Sequence, residues 1–375
     1  MNPRPTHRQF ATDTLTEIFA LKRPADAILQ DLFRSKKQMG SKDRAAVSDM
    51  VYGVLRNIFV LRAQGADAAS ELIEAFLRNE PPADSLPANI RLNLPEWLYD
   101  SLVRQHDADE TARLAQALNQ PGTVDLRVNT LKATREQVIA ALAGTQIHAQ
   151  PTPRSPVGLR LQKRGALQAT PAFRDGWIEP QDVGSQLLAL HVQAQPGETV
   201  VDFCAGGGGK TLALAAQLQN CGALYACDTR RASLEKLRLR AQRAGAAITD
   251  LLTLHSEHDP VLARLHGKAD AVLVDAPCTG SGALRRNPER RLHTPDLAAL
   301  GALQLSILEG ASRLLKKDGR LVYATCSLLA EENQAVIARF LEKHPNFEAV
   351  QPPLQLLPHR DGTDGFFAHT LTMRR

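Results

Sequence analysis

The sequence has few aromatic residues and none of the patterns that mark membrane, secreted or zinc-binding proteins. Aromatic residues make up 5% of its 375 residues, so its cores should be built mainly from Leu, Ala and Val. No apolar run approaches the roughly 18 residues of a membrane helix, and the N-terminus lacks a charged-then-apolar signal pattern, which favours a soluble, cytoplasmic protein. The five cysteines show no CxxC spacing and no histidine partners at metal-like intervals. Neither a metal site nor a disulfide framework is therefore expected.

The chain carries a mild excess of positive charge, and its N-terminal part accounts for that excess. The formal net charge is +5 and the isoelectric point is about 9.0, which favours an anionic partner such as nucleic acid. Between Arg4 and Arg62, eleven Lys and Arg residues stand against six Asp and Glu residues. Two interpretations of this segment remain open: a helical module that docks on RNA, or an all-helical domain with a solvated charged surface.

Hydrophobic periodicity divides the chain into three parts. Residues 6 to about 80 carry apolar side chains at helical spacing, and a proline-containing stretch at 81–87 is typical of a linker. An amphipathic helix is predicted at 94–106. A strand, a turn and a helix follow in a small α+β unit, where Thr134 and Gln137 form a capping box. The predicted domains are a helical domain at 1–85, the α+β unit at 86–178 and an α/β domain at 179–375.

From about Gln181 the sequence alternates between strands and helices, which is typical of a doubly wound sheet. Short apolar runs predict its buried strands. These runs are 199–201, 223–226, 251–254, 271–274 and 320–323. Because such sheets bind ligands at the carboxyl ends of their strands, the residues that follow these runs are the candidates for chemistry.

Two cysteines follow predicted strands, Cys278 in DAPCTGSG and Cys326 in YATCSLLAEEN. Both thiols are expected at neighbouring strand ends, a placement that suggests covalent chemistry with a partner thiol. The alternative, two buried core cysteines, is the commonest fate of a free cysteine but fits the polar flanking residues poorly. Cys221 and Cys227 flank or lie in a core strand and are expected to be structural. Cys204 is expected to pack within a loop.

The first strand of the sheet leads into a glycine-rich loop, DFCAGGGGKT at 202–211, which a helix follows. Glycines let the backbone approach a ligand closely and point its amides at the ligand. A phosphate-binding P-loop is disfavoured, because GxxxxGK[ST] requires glycine where Cys204 stands. A dinucleotide site is also disfavoured, because four adjacent glycines do not match GxGxxG.

Carboxylates follow three strands of the predicted sheet: Asp202, Asp228 and Asp275. Asp228 lies 22 positions after Gly206, where an acid suits hydrogen bonding to the ribose hydroxyls of an adenosine cofactor. Three carboxylates are unfavourable for pyrophosphate but suit the positive sulfonium of S-adenosylmethionine. The alternative role for Asp202 and Asp228 is capping of the helices that follow them.

With these motifs, residues from about 90 to 375 resemble the NOL/NOP/Sun family of RNA (cytosine-5)-methyltransferases, and most closely its bacterial RsmB type. The motifs occur in the family's order, and the combination of DAPC with TCS is highly specific. They are DLRVNT (125–130), EPQDVGSQ (179–186), DFCAGGGGKT (202–211), the acid at Asp228, DAPCTGSGALRRNPE (275–289), YATCSLLAEEN (323–333) and HRDGTDGFF (359–367). The N-terminal helices, especially DMVYGVLRN, resemble the NusB-like RNA-binding domain of RsmB proteins.

The resemblance implies a Rossmann-like, S-adenosylmethionine-dependent methyltransferase domain, preceded by a small α+β unit and an N-terminal helical domain. Two departures from the family's pattern concern the cofactor site. The usual loop CAAPGGKT is CAGGGGKT here, with Gly206 and Gly207 in place of an alanine and the proline, which should loosen the loop. The acid that the family places near adenine falls in LHSEHD, where Ser256, Glu257 and Asp259 remain open alternatives.

The resemblance also implies roles for individual residues. Cys326 is the nucleophile that adds to carbon 6 of cytosine, Cys278 assists release, and Asp275 hydrogen-bonds the base edge. Cofactor contacts are implied for Cys204, Ala205, Gly206, Gly207, Gly208, Gly209, Lys210, Asp228 and Asp275. Two roles for the Lys210 ammonium remain equally open: contact with a substrate group, or exposure to solvent. A basic cluster is expected to clamp RNA phosphates or to form a solvated loop; it comprises Arg285, Arg286, Arg290 and Arg291.

The function implied by the resemblance is S-adenosylmethionine-dependent methylation of cytosine carbon 5 in RNA, most directly ribosomal RNA, through a covalent Cys–cytosine adduct. Transfer RNA as substrate remains an alternative, as does a non-catalytic RNA-binding or ribosome-assembly factor that retains the fold. The expected partner is RNA with a flipped or unpaired target base. The expected state is a monomer with no metal and no membrane attachment.

Overall fold

The computed structural model describes residues 3–21, 23–163 and 165–374, which form two compact units. The first unit comprises the chain up to Pro121 together with Ala283–Thr294, and the second comprises Gly122–Gly282 and the residues after Thr294. No helix in the described ranges is long and apolar enough to cross a membrane. Nor do these ranges contain a group of three or more His, Cys, Asp or Glu side chains that could hold a metal ion. The three-part division of the chain stays a prediction.

The first unit is helical, which confirms the helices predicted between residues 6 and 80 and at 94–106. Its helices, within the described residues, are α1 (Pro5–Leu21), α2 (Ala25–Ser35), α3 (Ser41–Ala63), α4 (Ala69–Arg78), α5 (Ala88–Arg91), α6 (Glu96–Gln105) and α7 (Ala108–Leu118). Each long helix collects its apolar side chains on one face, and these faces bury one another. Leu15 of α1, Val54 and Ile58 of α3 and Leu72 of α4 are fully buried in the resulting core.

The second unit begins with a small antiparallel sheet and its helices. These elements are β1 (Asp125–Val128), α8 (Arg135–Ala143), β2 (Ala149–Pro151), β3 (Gly158–Leu161), α9 (Pro171–Arg174) and β4 (Ile178–Pro180). The strands lie in the order β2-β3-β1-β4. The predicted capping box is confirmed: Thr134 Oγ1 accepts from Gln137 N at 3.3 Å, and Gln137 Oε1 accepts from Thr134 N at 2.8 Å.

A seven-stranded sheet with helices forms the rest of the second unit. Its elements are α10 (Val183–His191), β5 (Thr199–Asp202), α11 (Gly209–Gln217), β6 (Ala223–Asp228), α12 (Arg231–Ala244), β7 (Asp250–Thr253), β8 (Ala269–Asp275), α13 (Leu297–Ser312), β9 (Leu315–Thr325), α14 (Gln334–Lys343), β10 (Phe347–Leu356), α15 (Pro358–Asp361) and β11 (Phe366–Met373). The strand order is β10-β11-β9-β8-β5-β6-β7. β5 to β9 are the five predicted strands, so the doubly wound fold is confirmed.

Two strands of this sheet, β10 and β11, were not predicted from periodicity. β11 is antiparallel to both of its neighbours, and β10 lies at the edge. β10 contains Pro352 and Pro353 and a register shift between Val350 and Leu354, and most of its residues are exposed. Proline and a broken register are typical of edge strands, which need no continuous apolar face. The sequence of β10 therefore carries no period-two signal.

Candidate active site at the carboxyl edge of the sheet

The carboxyl ends of β5 and β8 adjoin where the strand order of the sheet reverses. From β5 the chain winds outward through β6 and β7, and then returns to place β8 on the other side of β5. A reversal of this kind opens a crevice above the strand ends, which is where α/β sheets bind ligands. Asp202 ends β5 and Asp275 ends β8. The glycine-rich loop and the DAPC loop therefore start from the two sides of this crevice.

The structure places Cys278 and Cys326 side by side. β8 and β9 are parallel neighbours, with Asp275 in register with Ala324, so the loops after both strands leave the same edge of the sheet. The two sulfur atoms are 3.4 Å apart. The arrangement brings together two thiols that 47 intervening residues separate in the sequence.

The closing motif HRDGTDGFF borders the loop that carries Cys278. Gly365 N donates to Gly282 O at 2.9 Å, and Gly282 N donates to Cys326 O at 3.0 Å. A Cβ atom on Gly282 would overlap the backbone of Gly365, so this close approach requires glycine. The residues that lead into β11 therefore support both cysteine loops.

Lys210 and Asp275 form an ion pair that sequence reasoning did not join. Lys210 Nζ donates to Asp275 Oδ2 at 2.6 Å. Burial lowers the pKa of Lys210, but the charge and the hydrogen bond of Asp275 outweigh burial and raise that pKa above its ordinary value, and the charge of a Cys326 thiolate adds to this effect. The lysine side chain is only 13% exposed. Its ammonium faces Asp275 instead of solvent, which decides against the solvent-directed alternative.

Charged side chains act on both thiols. The adjacent Cys326 thiol, burial and the negative charges of Glu332 and Asp275 raise the pKa of Cys278 well above its ordinary value. Cys326, in contrast, lies within electrostatic reach of the Lys210 ammonium. Anions favour a protonated thiol and a cation favours a thiolate. The surroundings therefore favour Cys326 as the thiolate of the pair and Cys278 as its protonated partner.

The three remaining cysteines have other surroundings. Burial raises the pKa of the Cys227 thiol, in β6, to about 12. Burial and the charges of Asp275 and Asp202 raise the pKa of Cys204 well above its ordinary value, and its side chain packs against the hydrophobic core. Cys221 is exposed in the turn before β6. The raised pKa values make the thiols of Cys204 and Cys227 poor nucleophiles.

The glycine-rich loop is held in place from α12. Gly208 has a φ of +84°, and a Cβ atom there would overlap the side chain of Leu237, so this position requires glycine. Arg240 donates to Gly207 O, and its Nη2 donates to Glu179 Oε2 at 3.0 Å. Gly207 stands where the family's pattern has proline. The guanidinium contact opposes the loosening expected from the loss of that proline.

Asp228 and Asp202 both accept hydrogen bonds from neighbouring loop and helix residues. Asp228 Oδ2 accepts from Gly206 N, and its Oδ1 accepts from Arg230 N, each at 2.8 Å. Asp202 accepts from Thr211 Oγ1 at 2.6 Å, while its Oδ1 is buried without a hydrogen-bond partner. An unpaired buried carboxylate oxygen among further carboxylates fits a positively charged ligand. These residues therefore fit the sulfonium cofactor that the sequence implies.

Asp202 is expected to make the stability of the fold depend on pH. Burial raises its pKa to about 7, and the charges of Asp275 and Asp228 add to this, against the Thr211 hydrogen bond and the charge of Lys210. An unfolded aspartate has a pKa of about 3.9. Between these two values the folded chain holds more of a proton than the unfolded chain, so the contribution of Asp202 to the free energy of unfolding falls as the pH rises.

The Asp202→Asn variant lacks this titration and should gain stability relative to the wild type on going from pH 4.5 to pH 8, by about 3 kcal/mol. Urea unfolding at both pH values measures the gain. Asp84→Asn, a change at an exposed residue between α4 and α5, is the matched control and should show no such difference. An equal effect of Asp202→Asn at both pH values would contradict the prediction.

The three candidates for adenine contact each have a local partner. Asp259 accepts from two backbone amides at the start of the 3-10 helix Pro260–Leu265. Ser256 Oγ accepts from a backbone amide at 3.2 Å, and Glu257 accepts from the Ser306 hydroxyl of α13. The three alternatives therefore stay open.

Two arginines of the basic cluster are buried, which corrects the expectation that all four clamp phosphates or form a solvated loop. Arg291 is 1% exposed and Arg285 is 7% exposed, whereas Arg286 is half-buried and Arg290 is exposed. Arg291 Nη1 donates at 2.7–3.0 Å to oxygen atoms of Arg56, Asn93 and Asn119. Its guanidinium is thus engaged inside the helical unit. Sequence patterning cannot show that an arginine ends among backbone carbonyls.

Comparison with known proteins identifies the family. A family model described as 16S rRNA methyltransferase RsmB/F matches residues 189–372, and a model of the ferredoxin-like domain of RsmF/B-like methyltransferases matches residues 94–168. The probable ribosomal RNA small subunit methyltransferase B of Synechocystis sp. is 31% identical over 98% of this chain and 91% of its own length. The chain belongs to the RsmB/F family. Another member, the ribosomal RNA small subunit methyltransferase B of Sodalis glossinidius, is 33% identical over 86% of this chain and 75% of its own length.

A solved structure supports the same assignment. The crystal structure of a methyltransferase homolog protein from Pyrococcus horikoshii has a TM-score of 0.64 with this chain at 29% identity, and the match covers 75% of this chain and 100% of the other. The predicted Rossmann-like methyltransferase fold is thereby confirmed. Membership of the RsmB/F family also confirms the predicted enzyme class, an RNA methyltransferase with S-adenosylmethionine as its cofactor. The roles of individual residues are proposals, and they rest on the geometry described above.

Proposed function

We propose that this RsmB/F-family chain methylates carbon 5 of a cytosine in small-subunit ribosomal RNA, and that Cys326 bonds covalently to the base during the reaction. The observation that carries the proposal is the 3.4 Å separation of the Cys278 and Cys326 sulfur atoms beside the Lys210–Asp275 ion pair. A reaction that forms and then releases an adduct needs both a nucleophile and a group that assists release. The ribosomal substrate is supported by the names of the relatives in Synechocystis and Sodalis, most of whose length this chain covers.

Cytosine carbon 5 is a poor nucleophile, and the paired thiols would make it reactive. The Cys326 thiolate adds to carbon 6, and the new sulfur–carbon bond moves ring electron density to carbon 5. Asp275 hydrogen-bonds the base edge and stabilises the proton that the ring takes up as the adduct forms. After methylation, solvent water takes the carbon-5 proton, and the electron pair of that carbon–hydrogen bond restores the double bond between carbons 5 and 6. The carbon–sulfur bond then breaks, Cys326 leaves as a thiolate, and the ring gives its added proton back to solvent. The Cys278 thiol, whose sulfur lies 3.4 Å from that of Cys326, assists this release by donating a hydrogen bond to the departing sulfur.

The chain would hold its cofactor at the ends of β5 and β6. S-adenosylmethionine supplies an electrophilic methyl group on a positively charged sulfur. The backbone of Gly206 to Lys210 can approach the ligand closely because the glycines carry no side chains. Asp228 would accept from ribose hydroxyls, and Asp202 and Asp275 would balance the positive charge. Lys210 orients Asp275 through the bond at 2.6 Å.

The proposed partner is RNA in which the target cytosine is unpaired or flipped, because a thiol cannot reach carbon 6 of a stacked base. We also propose that the protein is a monomer, acts in the cytoplasm and needs no metal ion. The helices of the first unit are proposed to contribute RNA contacts through the excess of positive charge between Arg4 and Arg62.

Bisulfite sequencing of total RNA tests the substrate. Cells that lack this protein should lose 5-methylcytosine at one position of 16S rRNA, and the wild-type chain should restore it. Cys221→Ala, which changes an exposed cysteine, should restore it as well, whereas Cys326→Ala should not. A change confined to transfer RNA would move the substrate to that class. No change in either RNA would favour a non-catalytic factor.

A further inference from the structure

Glu332 is a fully buried carboxylate whose hydrogen bonds have no role in the mechanism above. It lies six residues after Cys326 and is 0% exposed. Its Oε1 accepts from Thr279 N at 2.9 Å and from Gln304 Nε2 at 3.0 Å. Its Oε2 accepts from Thr279 Oγ1 at 2.6 Å and from the Ser327 hydroxyl. One side chain thus receives four hydrogen bonds from three residues.

The residues that bond Glu332 are the immediate neighbours of the two cysteines. Thr279 follows Cys278 and Ser327 follows Cys326. The carboxylate therefore joins the DAPC loop to the TCS loop at the point where each loop presents its thiol. Gln304 of α13 adds a third anchor, because its Nε2 also donates to Pro277 O at 2.9 Å, on the other side of Cys278.

The number of hydrogen bonds matches an ionised carboxylate. A carboxylate offers about four acceptor sites, and a buried charge is tolerated when such sites are filled. Removing Glu332 would take away four hydrogen bonds at the base of both loops, and with them the side chain that joins the two loops. Without this connection the loops are expected to shift relative to each other, and the sulfur atoms would shift with them.

We propose that Glu332 is a positioning residue: by bonding Thr279 and Ser327, its buried carboxylate sets the separation and orientation of the Cys278 and Cys326 thiols. The consequence for methylation rests on the function proposed above, but the effect on the thiols does not. Its negative charge is also one of the charges that keep Cys278 protonated, so the loss of that charge would by itself speed the oxidation and alkylation of Cys278, and a slower disulfide reports a change in position. Small displacements of reacting groups have large kinetic effects, about 10²-fold for 1 Å.

Disulfide formation between the two thiols measures their separation without requiring catalysis. The wild-type chain, Glu332→Ala, Glu332→Gln and the control Glu342→Ala, at an exposed position of α14, are treated with diamide. Peptide mapping follows the Cys278–Cys326 bond, and alkylation follows the reactivity of each thiol. Glu332→Ala should form the bond at least about tenfold more slowly than the control, with kcat for RNA methylation reduced about 10²-fold and KM for S-adenosylmethionine changed less than about threefold.

Glu332→Gln should fall between these limits. Its amide oxygen can still accept from Thr279 N and Gln304, and its amide nitrogen can donate to the two hydroxyl oxygens. This variant carries the test if Glu332→Ala does not fold. The proposal would be overturned if every folded variant of Glu332 formed the disulfide at the wild-type rate. This applies to Glu332→Gln alone if Glu332→Ala does not fold. If Glu332→Ala forms the disulfide slowly but the wild-type protein methylates no RNA, the positioning role is supported and the proposed function is rejected.

Discussion

The Cys278→Ala variant is expected to accumulate a covalent protein–RNA adduct, whereas Cys326→Ala should form no adduct and should not turn over. The Lys210 ammonium favours a thiolate at Cys326, while the hydrogen bond with Cys326, burial and the charges of Glu332 and Asp275 hold Cys278 as a thiol. Without Cys278 the sulfur–carbon bond can form, but its breakage loses the assisting group. We expect kcat of Cys278→Ala to fall by about 10²–10³-fold, the usual range for the loss of one hydrogen-bond donor to a developing negative charge.

Denaturing electrophoresis of the enzyme with labelled RNA and S-adenosylmethionine shows the adduct directly. Cys221→Ala is the matched control, because Cys221 is exposed and lies outside the pair, and it should turn over normally without a trapped adduct. Adduct in Cys326→Ala and none in Cys278→Ala would exchange the two roles. Adduct in neither single variant, with methylation intact in both, would reject the two-thiol mechanism.

The second large effect is expected from Asp275→Asn, which should reduce the single-turnover rate of methyl transfer by about 10²–10³-fold. An asparagine cannot balance the buried ammonium of Lys210, and it weakens the acceptor that the base edge requires. The ion pair is only 13% and 27% exposed, so the loss is not screened by solvent as it would be at the surface. Affinity for S-adenosylmethionine should fall by less than the rate.

The Lys210→Met variant and the Asp275→Asn, Lys210→Met double variant complete a double-mutant cycle for this ion pair. Because the two side chains act through one hydrogen bond, their effects should not add, and the double variant should lose little more than Asp275→Asn alone. Asp250→Asn, which breaks the exposed pair with Arg264, is the control and should leave the rate within about threefold. Additive effects of the two changes would show that Lys210 and Asp275 act independently. Calorimetry with S-adenosylmethionine separates a binding defect from a chemical one.

Local patterns in the sequence were sufficient for much of the fold. Apolar periodicity predicted helices α1 to α3 and strands β5 to β9, because in those elements one face or the whole strand is buried. The capping box at Thr134 was recognisable because its two hydrogen bonds join residues three positions apart. β10 escaped this reasoning, since an exposed edge strand with Pro352 and Pro353 has no apolar period.

The candidate site, too, was predictable from the sequence only in part. The residues after each strand end were identifiable, since a doubly wound sheet brings those ends to one edge, and the ordered motifs indicated the NOL/NOP/Sun family and its RsmB type. The sequence did not show that Lys210 faces Asp275 or that Arg291 is buried. Each of these depends on a partner 65 or more positions away.

What the sequence determined by itself is therefore the chemistry available at the site: two thiols, a glycine-rich loop and a set of carboxylates at predictable strand ends. The tertiary structure alone decided which of these groups touch. The register of β8 against β9 sets the thiols 3.4 Å apart, and the Glu332 carboxylate ties their loops together. The physical reason is that periodicity records whether a residue is buried, whereas the pairing of polar groups depends on which strands become neighbours and in what register.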